Sequence, residues 1–406
     1  MSAPSPDRIT EDELAERTEF DPEHLRQLAD LGILERAGDG TYPRREIVRA
    51  RAVADLEALG AEPEGIARAL ASGHLSLGYL ESSGRRFPRS DRTFEQVAGD
   101  LGISFQTLER LYVAYGLPRP ARDEHIRDED LEEIRKLPVL LEAGVEIEGV
   151  LRFARVWGDS ARRVAQYLIH HFHAAIEEPF RRQGVNDNEA FESALRQVGL
   201  RLGRSGEDML AWLFRRHSET FMREHHYEHA EVALENAGVY ERAERHPAAA
   251  AFADLTGYTR LTEEAGDDAA ARVALTLAGL VSEVAAERRG TVVKMLGDGV
   301  HFHFADPRDA VLASLDIVEA VRPRGLPPAH VGVEAGPMVY DEGDYFGRTV
   351  NVAARVASQA GADQVFVGEG FAGLVRPKGF ELREVGTFEL KGISGPVTLF
   401  QAVRER

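Results

Sequence analysis

Three placements in this chain suit chemistry: an acid ending an apolar run, an acid inside a Gly-Asp-Gly turn, and an asparagine four residues before an arginine. Asp254 closes the run in "AAAFADLTGY" and is followed by the start of a predicted helix. An acid at a strand end, with free backbone N–H groups just after it, can hold a cation and a polyphosphate together; it serves equally well as a helix cap. Asp298 sits in "VVKMLGDGVHFHF", between two strand-like runs. A turn residue is the plain reading, but beside the strand that ends at Asp254 the two carboxylates could clamp two Mg²⁺ ions around a nucleotide. Asn351 and Arg355 in "DYFGRTVNVAARV" project from one face of a predicted helix. An amide that holds a ribose and a guanidinium that faces phosphate make sense at that spacing, since arginine brings fixed charge to a phosphoryl transition state. Lys294 and Lys391, the latter in "FELKGISGPVTLF", lie in these stretches and are two of only four lysines among 49 cationic side chains.

The elements that must position these residues begin after "ERAERHPAAA", where strand-like and helix-like segments start to alternate. Helices are predicted over 262–289, 307–321 and 350–360. Strands are predicted in "AAAFADLTGY", "TVVKM", "VHFHF", "AHVGVEAG", "ADQVFVG", "FELREVGTFEL" and "PVTLFQAV". The β-α-β-β-α-β order is ferredoxin-like, an α+β fold with helices on one face of the sheet.

Together, "FADLTGY", "KMLGDG", "DYFGRTVNVAARV" and "LKGISGPV" occur in the order and spacing of the class III nucleotidyl cyclases, which residues 247–404 resemble. The resemblance implies an adenylyl cyclase that converts ATP to 3′,5′-cyclic AMP and pyrophosphate with Mg²⁺ or Mn²⁺, two ions per site. Asp254 and Asp298 would bind metal, Lys294 and Asp344 would select adenine, Asn351 and Arg355 would act on the transition state, and Lys391 would contact the triphosphate. Guanylyl cyclases usually carry Glu and Cys at the two purine positions, so Lys294 and Asp344 favour ATP. The resemblance also implies a homodimer, with metal acids from one copy and the remaining residues from the other. Glu334 departs from relatives that often have His or a small residue there, a difference expected to touch strand packing only.

Upstream, residues 10–36 and 93–119 repeat one plan, a short helix, a turn and a second helix capped by Asp21 or Ser104. Ala15 and Leu25 match Ala98 and Leu108 at an offset of 83, and Gly32 matches Gly116 at 84. Both copies resemble the winged helix-turn-helix of MerR-type regulators. DNA is nevertheless a poor match: residues 1–80 hold nine arginines against sixteen acids, and the whole chain carries a net charge of −19. A regulatory or packing role is expected instead, in preference to nucleic-acid binding. From about 155 to 240 the pattern is long and helical. Seven of the fourteen histidines fall there, His170, His171, His173, His217, His225, His226 and His229, and as a group they would suit a pH-responsive bundle. This half resembles the helical regulatory region fused to a group of actinobacterial cyclases, some of them pH-responsive, and leaves room for a small-molecule or lipid ligand.

The expected architecture is therefore an all-α regulatory half followed by an α+β catalytic domain: a first repeat over 1–85, a second over 86–157, a dimerisation or transducer region over 158–240 and the cyclase domain over 241–406. A catalytically weak nucleotide-binding regulator, with output through the repeats, is the alternative. No apolar run reaches membrane-span length, cysteine is absent, and "MSAPSPDRITEDE" has no basic stretch followed by an apolar one, so the expectation is a cytoplasmic protein.

Overall fold

The computed structural model describes residues 8–18, 20–77, 89–185, 187–239 and 247–405. The expected boundaries at 85/86 and 240/241 lie outside the described residues. By compactness the chain forms two units, Met1–Glu224 and His225–Arg406.

Among its described residues the first unit is helical apart from two small strand pairs, Arg8–Ile9 with Tyr42–Pro43 and Arg89–Thr93 with His125–Arg127. Inside each pair lie two helices, Glu11–Thr18 and Pro22–Asp30 in one case, Phe94–Asp100 and Phe105–Ala114 in the other. The caps are those the repeat predicts. Asp21 accepts from the Glu23 N–H at 2.8 Å, with Pro22 opening the helix, and Ser104 accepts from the Thr107 N–H at 3.0 Å. The glycines that end the second helices are both left-handed, Gly32 at φ +72° and Gly116 at φ +73°, a conformation costly for any residue with a Cβ. Two long helices follow, Ile147–Phe172 and Leu200–Asn236, the second extending past the division between the units. Between them the helical path carries π-type turns at His173–Glu177 and Leu195–Gly199.

Elements of the second unit are labelled in chain order. The strands are β1 Ala249–Leu255, β2 Thr291–Leu296, β3 Gly299–Phe304, β4 Ala329–Ala335, β5 Val339–Asp341, β6 Asp344–Phe346, β7 Val365–Gly368, β8 Phe380–Glu389 and β9 Pro396–Arg404. The helices are α1 Tyr258–Ala265, α2 Asp267–Glu287, α3 Pro307–Ala320, α4 Arg348–Ala357 and α5 Glu369–Leu374. The main sheet runs β8-β9-β7-β4-β1-β3-β2, with β4 and β7 parallel and the other pairs antiparallel. Its β4-β1-β3-β2 half has the expected ferredoxin-like order. The other half makes the sheet mixed, and β5 and β6 form a separate hairpin.

Side chains alternate across a strand, so the sheet has two unlike faces. Ala249, Ala251, Ala253 and Leu255 of β1 and Val331 and Val333 of β4 face one way. They bury against Leu277, Leu280 and Val281 of α2 and Val311, Leu315 and Ile317 of α3. Helix α2 is long and apolar enough to cross a membrane, the single such helix among the described residues, yet its apolar stripe is part of this core. Helices were expected on one face only. That holds for α2 and α3, but α4 lies on the opposite face, where Val352 and Val356 pack with Phe366, Leu390 and Leu399. Gly332 admits it: a Cβ there would stand 2.0 Å from the Ala357 nitrogen and 2.6 Å from the Ala353 oxygen. Glu334 is more than a packing residue. Buried at the end of β4, it accepts from the Phe371 N–H at 2.6 Å and the Ala335 N–H at 2.9 Å, tying β4 to the start of α5. Burial nevertheless raises its carboxyl to about 7.

The Gly332 contact is with backbone atoms that cannot rotate aside, so Gly332→Ala should destabilise the second unit by about 1–3 kcal/mol, read as a lower denaturant midpoint. An unchanged midpoint would show that α4 shifts freely on the sheet.

Candidate active site

On the α4 face of the sheet the alternation that buries alanine and valine presents Phe252 and Asp254 from β1, His301 and His303 from β3, and His330 from β4. Two charged clusters form there.

The first joins Asp254, at the end of β1, to Asp298, in the β2–β3 turn. Burial, and then the Asp298 carboxylate beside it, push Asp254 up to about 6. Gly299 brings the turn this close, since a Cβ on it would lie 3.3 Å from both the Ala253 carbonyl and Asp254 Oδ1. His330 adds its Nε2 at 3.8 Å from Asp254 Oδ2. Two adjacent carboxylates that repel one another offer hard oxygen donors that fit a divalent cation. No group of three or more His, Cys, Asp or Glu gathers for a metal among the described residues, so further ligands would have to come from a bound phosphate or from water.

The second cluster is the ion pair of Lys294 and Asp344. A β-bulge makes it possible. Val292 pairs with Phe302 and Lys294 with His301, leaving Val293 as the extra residue. In unbroken register Lys294 would pair with Val300 and point to the core face. Asp344 begins β6, and its Oδ1 accepts from the Tyr345 N–H at 2.9 Å. The hairpin is pinned to β3 by His303 stacked on Tyr345, with ring centroids 4.2 Å apart. His301 is fully buried and stacks on Phe252 at 4.4 Å.

Asn351 and Arg355 project from α4 opposite its buried Val352 and Val356, both exposed and without a side-chain hydrogen bond or ion pair among the described residues. Lys391 is likewise exposed, in the turn joining β8 to β9. The structure thus brings together Asp254 with Asp298, Lys294 with Asp344, and Asn351 with Arg355, and leaves Lys391 apart. Residue-type reasoning passed over His301 and His330. The alternation within "VHFHF" and "AHVGVEAG" was the available signal, because it sets both histidines on the face away from the core.

The sequence profile of the adenylate and guanylate cyclase catalytic domain matches residues 328–402, within the stretch whose motifs resemble the class III cyclases. It is 28% identical over 400 residues to a pH-sensitive adenylate cyclase of Mycobacterium tuberculosis, covering 94% of each chain. It is also 28% identical over 279 residues to an adenylate cyclase of Streptomyces coelicolor, covering 68% of this chain and 70% of that one. Among solved structures, the adenylyl cyclase CyaB from P. aeruginosa is 24% identical and aligns with 41% of this chain and 98% of its own, with a TM-score of 0.35.

With the neighbouring charge removed by Asp298→Asn, Asp254 should fall toward the ordinary carboxylate range, which a carboxyl NMR titration would read. An unmoved Asp254 would mean that burial alone raises it. Because its folded-state pKa is raised, Asp254 stabilises the cation-free fold fully at pH below about 4, and that contribution is lost as pH rises through about 6. Millimolar Mg²⁺ should therefore raise the melting temperature at pH 7.5 and not at pH 4.5. Equal effects at both would place the ion elsewhere.

Proposed function

We propose that the protein is an adenylyl cyclase that closes ATP to 3′,5′-cyclic AMP at sites shared by two copies of the chain. The observation that carries the reading is the juxtaposition of Asp254 and Asp298, two acids brought from separate elements to a point that a cation would neutralise. A divalent ion held there, Mg²⁺ or Mn²⁺ and two per site, would lower the pKa of the ribose 3′-hydroxyl and polarise the α-phosphate. The 3′-hydroxyl gives up its proton to water, its oxygen attacks the α-phosphorus, the bond to the β-phosphate oxygen breaks, and pyrophosphate leaves with that electron pair. Arg355, fixed in charge and without an ion pair among the described residues, stabilises the charge gathering on the α-phosphate and leaving oxygen. Asn351, one helical turn away, orients the ribose. Lys391, at an exposed turn, meets the triphosphate. Lys294 and Asp344 read the adenine, the ammonium donating to a ring nitrogen and the carboxylate accepting from the 6-amino group.

A homodimer follows from each residue being present once, in clusters with no member in common. It is supported by the exposed apolar side chains beside the Lys294–Asp344 pair: Met295 and Leu296 of the edge strand and Val339, Tyr340 and Phe346 of the hairpin. The helical unit is read as the regulator, its repeats reused as winged-helix-like packing modules. The histidines of the long helices suit a response to pH: His173 bridges Glu177 and Arg181, and His225 and His229 meet at 3.1 Å.

Asp254→Ala and Arg355→Ala should each abolish cyclic AMP formation alone and regain roughly a quarter of wild-type activity when mixed, if subunits exchange at random and one site in each mixed dimer is intact. Mixtures that dimerise yet stay inactive would eliminate the shared site. Cyclic AMP output that does not vary between pH 5 and 8, in the full chain as in a truncation lacking 1–240, would eliminate pH control.

A further inference from the structure

His301 has no exposed surface, and neither ring nitrogen has a hydrogen-bond partner among the described residues. Nearly every buried polar group in a folded protein is satisfied, and an orphan costs enough that a partner arriving later is a natural account of it. The groups that face this ring narrow the choice. Phe252 covers one side, Lys294 lies opposite it in the β2–β3 register, and His303 on its own strand is taken up by Tyr345. What remains is Asp344, whose Oδ1 stands 3.9 Å from His301 Nδ1, just beyond a hydrogen bond. Lys294 currently holds the other oxygen of that carboxylate.

We propose that His301 is the positioning residue of the purine-reading pair: when a purine draws Lys294 away from Asp344, His301 donates from Nδ1 to the released carboxylate and holds it where it accepts the 6-amino group. The inference rests on the adenine-reading role given above to Lys294 and Asp344. A half-buried carboxylate that gives up an ammonium needs a replacement donor, and His301 is already desolvated, oriented by its stack on Phe252 and within a small side-chain rotation. Burial also keeps the ring neutral, with its pKa pushed down to about 4, so it can approach Lys294 without charge repulsion.

The test compares dissociation constants of full-length protein for a non-hydrolysable ATP analogue and for the matching purine riboside analogue, which lacks the 6-amino group. His301→Phe keeps the stack and removes both nitrogens. It should reduce the preference for the adenine analogue about tenfold through weaker adenine binding, whereas His301→Gln, which keeps a donor, should retain most of it. Asp344→Ala should abolish the preference. A preference unmoved in Asp344→Ala overturns the adenine reading and this proposal with it. A preference lost in Asp344→Ala but intact in a folded His301→Phe overturns the positioning role alone, as does equal weakening for both analogues. Should His301→Phe fail to fold, nitrogen NMR of histidine-labelled wild type decides: saturation with the adenine analogue must shift the His301 ring signals to a hydrogen-bonded Nδ1–H form, and unmoved signals contradict the proposal.

Discussion

A β-strand must send successive side chains to opposite sides, and the second unit depends on that rule at β1 and β4. Ala249, Ala251 and Ala253 hold α2 and α3 against one face through the apolar core, so Phe252 and Asp254 have only the other face to occupy. On β4 the same alternation turns Val331 and Val333 inward and sets Gly332 outward, where its missing side chain lets α4 lie close. The chemistry-bearing residues therefore share a face because the core claims the other one.

What was legible in sequence is what obeys a simple period. Asp254 at a strand end, Asp298 in a glycine turn and the four-residue step from Asn351 to Arg355 could each be placed by hand, and the β4-β1-β3-β2 order followed from the alternation of elements. The repeat in the helical half was legible for a related reason: helix ends need left-handed residues, and Gly32 and Gly116 recur where the two copies need them.

What was not legible breaks the period. The Val293 bulge is one unpaired residue, and nothing in "TVVKM" marks which residue will be skipped, yet it decides which face Lys294 takes. Asp344 could be assigned only by resemblance, because the short β5–β6 hairpin that carries it has too few residues to show a pattern. The break at Gly266 that divides the expected helix 262–289 into α1 and α2, and the short α5 tied to Glu334, were missed for the same want of length.

Lys294 and Asp298 are four residues apart, yet one pairs with Asp344 and the other with Asp254. The central claim is that these neighbours serve different ATP molecules in the dimer. A crystal structure of the dimer with a non-hydrolysable ATP analogue and Mg²⁺ tests it most directly. The account predicts each adenine against Lys294 and Asp344 of one subunit, with the α-phosphate and metal against Asp254 and Asp298 of the other. A nucleotide whose base and metal both contact residues of a single subunit would contradict it.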